Sequence, residues 1–351
     1  MSGLLALCIA LSVLPLSACT APKLTLDPEE LYALPELPER YTALNKQLSA
    51  IQESGAEYAA PVSGSNIQPV QMMDLDGDGR EEALAFFRQS DGEKPLKIHI
   101  FTADDDNSYR QAAVIEGSGL AIYSVDYSDI DGDGRMEIIV GWRISADVQT
   151  VAVYVPQPDP YVLLQSGYTR FTVTDLDGDG VKSLLLFRSD NDGQPVAGLY
   201  IRKDDVISAS YSSVLSYTMA ELSRGSVVVG KLSDGTPAVF ATGVNSQGMA
   251  MTDILVWQES GGLTNIAQDR TTGLTAAVYP YMQLKPQDID GDGIIELPCP
   301  DADSAAEQTD GFVAWMSWKS DGRFEQSVKT YHCLSAGWYF TIPLSWWNWD
   351  V

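Results

Sequence analysis

The chain has 351 residues, 45% hydrophobic and 20% charged, enough apolar side chain for one sizeable core or for a core shared among repeats. Its 48 Asp+Glu against 22 Lys+Arg give a formal net charge of −26, a surface that repels phosphate backbones and anionic headgroups and argues against nucleic acid as a partner. Many of the Asp residues are gathered into short loops, a distribution that points to a cation.

From Leu4 to Leu16 the chain is almost purely apolar, with the small residues Ser17 and Ala18 ahead of Cys19. The run is short for a membrane-spanning helix and the right length for the core of a signal peptide. Leu16-Ser17-Ala18-Cys19 resembles the lipobox of bacterial lipoproteins, although Met1-Ser2-Gly3 lacks that family's basic residues. The resemblance implies residues 1–18 as a lipoprotein signal peptide, lipidation of Cys19, export, and anchorage to the outer face of the cytoplasmic membrane or the cell envelope. Residues 19–60 then form a tether punctuated by Pro22, Pro28, Pro35 and Pro38, followed by an amphipathic helix from about Glu39 to Glu53. That helix carries Tyr41, Leu44, Leu48 and Ile51 at helical spacing, so one face docks on the body.

The remaining body, 61–351, is built on self-similarity. Asp74-Leu75-Asp76-Gly77-Asp78-Gly79 recurs as Asp129-Ile130-Asp131-Gly132-Asp133-Gly134, Asp175-Leu176-Asp177-Gly178-Asp179-Gly180 and Asp288-Ile289-Asp290-Gly291-Asp292-Gly293. A worn copy at Lys231-Leu232-Ser233-Asp234-Gly235-Thr236 keeps the apolar second position in a shortened loop. Repeats therefore start at 74, 129, 175, 231 and 288, steps of 55, 46, 56 and 57 residues, which suits one four-stranded blade each. Apolar runs follow the loops at Ala83–Phe87, Ile138–Trp142, Leu184–Phe187 and Ala238–Phe240, and read as buried strands. Further strands follow, including Lys97–Phe101, Thr150–Tyr154 and Phe312–Trp315, with weaker fourth strands such as Ala112–Ile115 and Tyr161–Leu164. A lone four-stranded unit cannot bury both faces, whereas radial stacking does, so the expected class is all-β: a β-propeller with five visible repeats and room for a partial sixth. Gly337–Ile342 reads as one more strand, which either closes the ring on the first blade or marks a truncated chain.

Three Asp side chains at loop positions 1, 3 and 5 converge when glycines let the chain turn tightly between them, and hard oxygen ligands at that spacing suit Ca2+. The expected ligands are Asp74, Asp76 and Asp78; Asp129, Asp131 and Asp133; Asp175, Asp177 and Asp179; and Asp288, Asp290 and Asp292. The position-7 carbonyls of Arg80, Arg135, Val181 and Ile294 and the position-9 acids Glu82, Glu137 and Glu296 complete most of each shell. Ser183 stands at position 9 of the third loop, which predicts a weaker site. An EF-hand needs Glu at position 12 and an exiting helix. Here position 12 is Ala85, Val140, Leu186 and Cys299, and strands follow.

With these loops and strands, the chain resembles the FG-GAP/VCBS repeat family over about residues 65–335. The resemblance implies propeller blades carrying calcium between their first and second strands, and a surface or secreted scaffold. The functional expectation is a cell-surface lipoprotein whose calcium-stabilised propeller binds a glycan or protein without catalysis. The alternative is a lyase-like polysaccharide-degrading enzyme, by analogy of fold alone. Against it, the two histidines read as packing residues: His99 alternates with Ile98 and Ile100, and His332 lies beside Tyr331 and Cys333. Two of the four cysteines, Cys8 and Cys19, fall in the leader, too few remaining for a zinc set. Cys299 and Cys333 either pair in an oxidising compartment or stay thiols.

Overall fold

The computed structural model describes residues 41–90, 92–104, 108–156, 159–203, 206–281, 283–300 and 310–347. The apolar leader, Cys19 and the prolines of the tether lie outside them. The first element among the described residues is α1 (Thr42–Glu53), which buries Leu44 and Leu48 on one face, as their four-residue spacing requires. Its Gln47 side-chain amide donates to the backbone carbonyl of Tyr109.

Every strand among the described residues belongs to one of five antiparallel sheets, and the chain forms a β-propeller of successive blades. Blade one comprises β1 (Glu57–Tyr58), β2 (Val70–Met73), β3 (Glu82–Arg88), β4 (Leu96–Ala103) and β5 (Tyr109–Gly117). Its innermost edge is made of two segments, since β1 and β2 both pair with β3. Blade two is β6 (Ala121–Ser128), β7 (Glu137–Arg143), β8 (Gln149–Val155) and β9 (Tyr161–Gly167). Blade three is β10 (Arg170–Thr174), β11 (Ser183–Ser189), β12 (Pro195–Lys203) and β13 (Val206–Val214). The short α2 (Met219–Arg224), started by a reciprocal Thr218–Glu221 capping box, leads into blade four. That blade holds β14 (Ser226–Lys231), β15 (Pro237–Val244), β16 (Met249–Gln258), β17 (Gly262–Asn265) and β18 (Ala277–Pro280), the last two pairing with successive halves of β16.

The second strands are continuous apolar runs because both of their faces are covered. Ala83 to Phe87, Leu184 to Phe187 and Ala238 to Ala241 are fully buried. Side chains on the two faces enter different cores. Leu84 and Phe86 of blade one pack with Ile138, Val140 and Trp142 of blade two, whereas Ile139 of blade two packs with Leu184 and Leu186 of blade three. Leu185 and Phe187 join Val239 and Ala241 of blade four, and Phe240 and Ile254 join Leu297 and Trp318 of blade five. The second strands of blades two, three and four therefore each tie two interfaces together.

Blade five departs from the others. Its strands are β19 (Leu297–Pro300), β20 (Gly311–Trp318), β21 (Phe324–Cys333) and β22 (Trp338–Thr341). Its Asp loop precedes β19, so β19 takes the second-strand position and the innermost strand shrinks to a single bridge, Gln287 to Glu296. The expected extra strand is β22, and it pairs with β21 on the outer edge of this same blade. It supplies a fourth strand here, neither a sixth blade nor a closure onto blade one. Cross-strand partners Phe312, Tyr331 and Phe340 form an aromatic row over β20–β22, with Trp338 beside it. No disulfide joins Cys299 to Cys333, and the Cys333 sulfhydryl donates to Asp310 at 3.1 Å. Among the described residues no helix is long and apolar enough to cross a membrane.

Candidate metal centre

The Asp loops sit where the repeat predicts, between first and second strands in blades one to three and directly before β19 in blade five. Their local geometry is nearly identical. The first Asp accepts from two glycine N–H groups: Asp74 from Gly77 (2.8 Å) and Gly79 (3.0 Å), Asp129 from Gly132 (2.6 Å) and Gly134 (2.9 Å). Asp175 does the same with Gly178 and Gly180, and Asp288 with Gly291 and Gly293. These turns need the left-handed region, which Gly77 (φ 76°) and Gly79 (φ 86°) reach without Cβ strain. The Asp at position 5 accepts the N–H of position 7 at 2.8 Å in all four loops: Arg80, Arg135, Val181 and Ile294.

This winding converges the carboxylates. Oxygens of Asp74, Asp76 and Asp78 lie within 4.8 Å of one another, as do those of Asp175, Asp177 and Asp179. In the other two loops the set that meets this distance is Asp129, Asp131 and Glu137, and Asp288, Asp290 and Glu296. The position-9 acids do more than the sequence suggests. Glu82, Glu137 and Glu296 are almost wholly buried, and each accepts the backbone N–H of position 2, at 2.9, 2.9 and 3.2 Å. In the third loop Ser183 occupies the place and brings no carboxylate.

Such a set can hold a metal ion, because each group of acids carries several formal negative charges, offset only in part by Arg80 on Asp78 and by Arg202 beside Asp131. Burial first, then repulsion from the three loop Asp side chains, pushes Glu137 and Glu296 up to about 7, and Glu82 upward as well. Asp131 and Asp177 also rise, mainly through burial and then through the neighbouring position-5 Asp. Protons thus relieve the repulsion that a cation would relieve better.

Two features were not legible in the sequence. Arg202 of β12 reaches across to the second loop, donating to the Asp131 carbonyl at 2.7 Å and lying 3.2 Å from its carboxylate. In the worn fourth loop Asp234 accepts from the N–H and hydroxyl of Ser320, at 2.8 and 2.7 Å, on the β20–β21 turn of blade five. Burial alone would raise this carboxyl; the hydrogen bonds from Ser320 and Thr236 outweigh it and hold it well below the usual range. The worn loop has exchanged metal-type geometry for a latch. The only signal was that Asp234 survives where the first Asp has become Lys231.

The histidines sit as packing predicts. His99 is buried between Phe87 and Phe101 with its Nδ1 2.9 Å from the Gln111 amide oxygen, and His332 stacks on Tyr339 at 5.0 Å. Burial lowers both imidazoles, so both are neutral near pH 7.

Residues 74–140, which include the first two loops, match the model of the FG-GAP-like repeat. No curated protein matches the chain. Among solved structures, a hypothetical protein from Leishmania major is 11% identical, with 79% of this chain and 92% of that one covered and a TM-score of 0.28. An α-L-arabinofuranosidase from Podospora anserina, in complex with cellotriose, is 13% identical over 74% of this chain and 87% of its own, with a TM-score of 0.28. A mannose phosphorylase from Leishmania mexicana is 12% identical over 80% and 91%, with a TM-score of 0.20. Scores this low carry no argument about function.

Because Glu137 and Glu296 have folded values above the ordinary carboxylate, their protonation stabilises the metal-free fold fully below the unfolded value near 4.5, and that stabilisation is lost as pH rises through about 7. The two lowered histidines act in the opposite direction, so the comparison must isolate the acids. In chelator, the melting temperature of the wild type is expected to fall relative to that of Glu137→Gln/Glu296→Gln as pH goes from about 5 to 8. Parallel curves would show that these acids do not titrate in that window.

Proposed function

We propose that this protein is an exported, lipid-anchored scaffold whose propeller is stabilised by Ca2+ and binds a glycan or protein ligand without catalysis. The observation that carries the reading is the fourfold recurrence of carboxylate oxygens within 4.8 Å of one another on loops wound by identical hydrogen bonds. All-oxygen sets of this kind suit calcium better than magnesium, which demands near-ideal octahedral geometry, or zinc, which prefers nitrogen and sulfur. In this reading the carbonyls of Arg80, Arg135, Val181 and Ile294 join the Asp side chains as ligands. Glu82, Glu137 and Glu296 close the shell. A propeller with rigid loops is a platform, and the row formed by Phe312, Tyr331, Phe340 and Trp338 offers exposed aromatic surface of the kind that ligands cover. Trp338 is 50% and Phe340 46% exposed. Support for anchorage comes from Leu16-Ser17-Ala18-Cys19.

Calorimetric titration of the purified protein with calcium is expected to show four sites, with affinities on the order of 10⁻⁴ to 10⁻³ M. The third should be weakest, and Ser183→Glu should strengthen it by about tenfold by restoring an anionic ligand. Absence of saturable binding would remove calcium from the account. Anchorage has its own test: the wild type should partition into the detergent phase and Cys19→Ser into the aqueous phase, and equal partitioning of the two would refute lipidation at Cys19.

A further inference from the structure

The second strands of blades one, two and three each carry an arginine at the end away from the Asp loop. Arg88 closes β3, Arg143 closes β7, and Arg188 is the last residue but one of β11. Arg170 opens β10 at the same end, paired with Phe187 and so next to Arg188. All four are half-buried, and among the described residues none is ion-paired. By contrast, Arg80, Arg110, Arg202 and Arg323, at the Asp-loop end of the blades, each hold an Asp. In a chain with a net charge of −26 acids are plentiful, so half-buried guanidinium groups left without one point to an anion from outside.

Two of the four meet at one junction. Side chains alternate along a strand, so Arg143 lies on the face of β7 that carries Ile139, and Arg188 on the face of β11 that carries Leu184 and Leu186. These faces pack together as the core between blades two and three, and the two arginines cap it from opposite sides. Beneath Arg143, Tyr168 fills the space left by Gly141, where a Cβ would lie 2.6 Å from the phenol oxygen. Burial holds that hydroxyl protonated against the pull of Arg170 and Arg143, so the floor of the junction is neutral. The Arg143 guanidinium lies 4.8 Å above the Tyr123 ring. It donates no hydrogen bond within the described protein, and its nitrogens are not enclosed. Arg188 donates from Nη1 to the Ser189 carbonyl at 3.2 Å and has Nε enclosed, which leaves Nη2 open. Arg88 and Arg170 turn aside, to the carbonyls of Leu120 and Ser223. The acids of the turns after β7 and β11, Asp147 and Asp190, pair with neither open arginine; Asp190 accepts instead from the N–H groups of Asp192 and Gln194.

We infer that Arg143 and Arg188 form a binding site for the carboxylate of a sugar acid, at the junction of blades two and three on the face away from the Asp loops. A guanidinium fork matches a planar carboxylate, and open N–H groups on two facing strands suit its two oxygens. The charge of the whole chain, −26, repels polyanions and acidic protein surfaces. The ligand that fits therefore carries one carboxylate on an otherwise neutral body, as an acidic sugar within a glycan does. The inference rests on the proposed scaffold function and assigns that scaffold a ligand class and a place.

The test is calorimetric titration of the calcium-loaded protein, at matched free calcium, with glucuronate, N-acetylneuraminate, glucose and glucose 6-phosphate, repeated on Arg143→Gln, Arg188→Gln and Arg110→Gln. At least one sugar acid should bind saturably, and glucose should not. Arg143→Gln and Arg188→Gln should each weaken the sugar acid by about tenfold or more, as loss of a charge-assisted hydrogen bond implies. Arg110→Gln makes the same change of charge at the other end of the blades and should leave the affinity unchanged. Each junction variant removes a charge that is not ion-paired, so its melting temperature without sugar should equal or exceed that of the wild type. Five outcomes overturn the inference. Neither sugar acid binds. Both junction variants bind as the wild type does, which moves the acid elsewhere, including to calcium in the Asp loops. Arg110→Gln weakens binding equally, which makes the effect one of bulk charge. Glucose 6-phosphate binds more tightly than either sugar acid, which makes the site one for phosphate. Both junction variants melt lower than the wild type, which makes the arginines structural. A scaffold that binds a neutral glycan or a protein equally well in all these variants refutes the sugar-acid site and not the scaffold.

Discussion

Three of the four Asp loops are tied to the core by one bond, that between the position-9 glutamate and the N–H of position 2. Leu75, Ile130 and Ile289 at position 2 are 1%, 3% and 6% exposed, so the residue whose backbone is held is also a core residue. The glutamate that holds it is buried and faces the loop carboxylates. A change of charge in the loop is therefore felt where the blades pack. Adjacent loops are joined as well: Met136 N–H donates to the Leu75 carbonyl between blades one and two, and Ile295 N–H to the Lys231 carbonyl between blades four and five. A cation in the loops would brace the joints between blades as well as the turns.

The worn loop of blade four shows what the scaffold requires when the acids are lost. Leu232 keeps the core position, fully buried, and Asp234 replaces convergent carboxylates with two hydrogen bonds to Ser320. Exposed pairs of this kind contribute modestly, on the order of 1 kcal/mol. That is enough to hold one turn against its neighbour without a metal.

The sequence made the repeat, the loops and most strands legible because they depend on short-range order. Glycine punctuates the turn, apolar runs mark doubly covered strands, and the alternation beyond them marks the outer strands. Blade five was less legible for a physical reason. Its inner strand is reduced to the Gln287–Glu296 bridge, and β22 is added outside, so the chain-order count of strands per repeat slips by one. A four-residue aromatic strand carries no sign of which edge it will pair with. The Arg202–Asp131 and Asp234–Ser320 contacts join residues 71 and 86 positions apart, and Gly117 meets the Trp142 ring across an interface between blades. Only folding brings such partners together.

Amide hydrogen exchange of the full chain in calcium and in chelator tests the central claim most directly, because it resolves the loops one by one. Calcium should slow exchange at the paired glycines Gly77 and Gly79, Gly132 and Gly134, and Gly291 and Gly293, and at the core amides Leu75, Ile130 and Ile289, while Gly235 of the metal-free loop stays unchanged. Equal exchange in both conditions at all of these amides would contradict the account and leave the Asp loops as solvated turns.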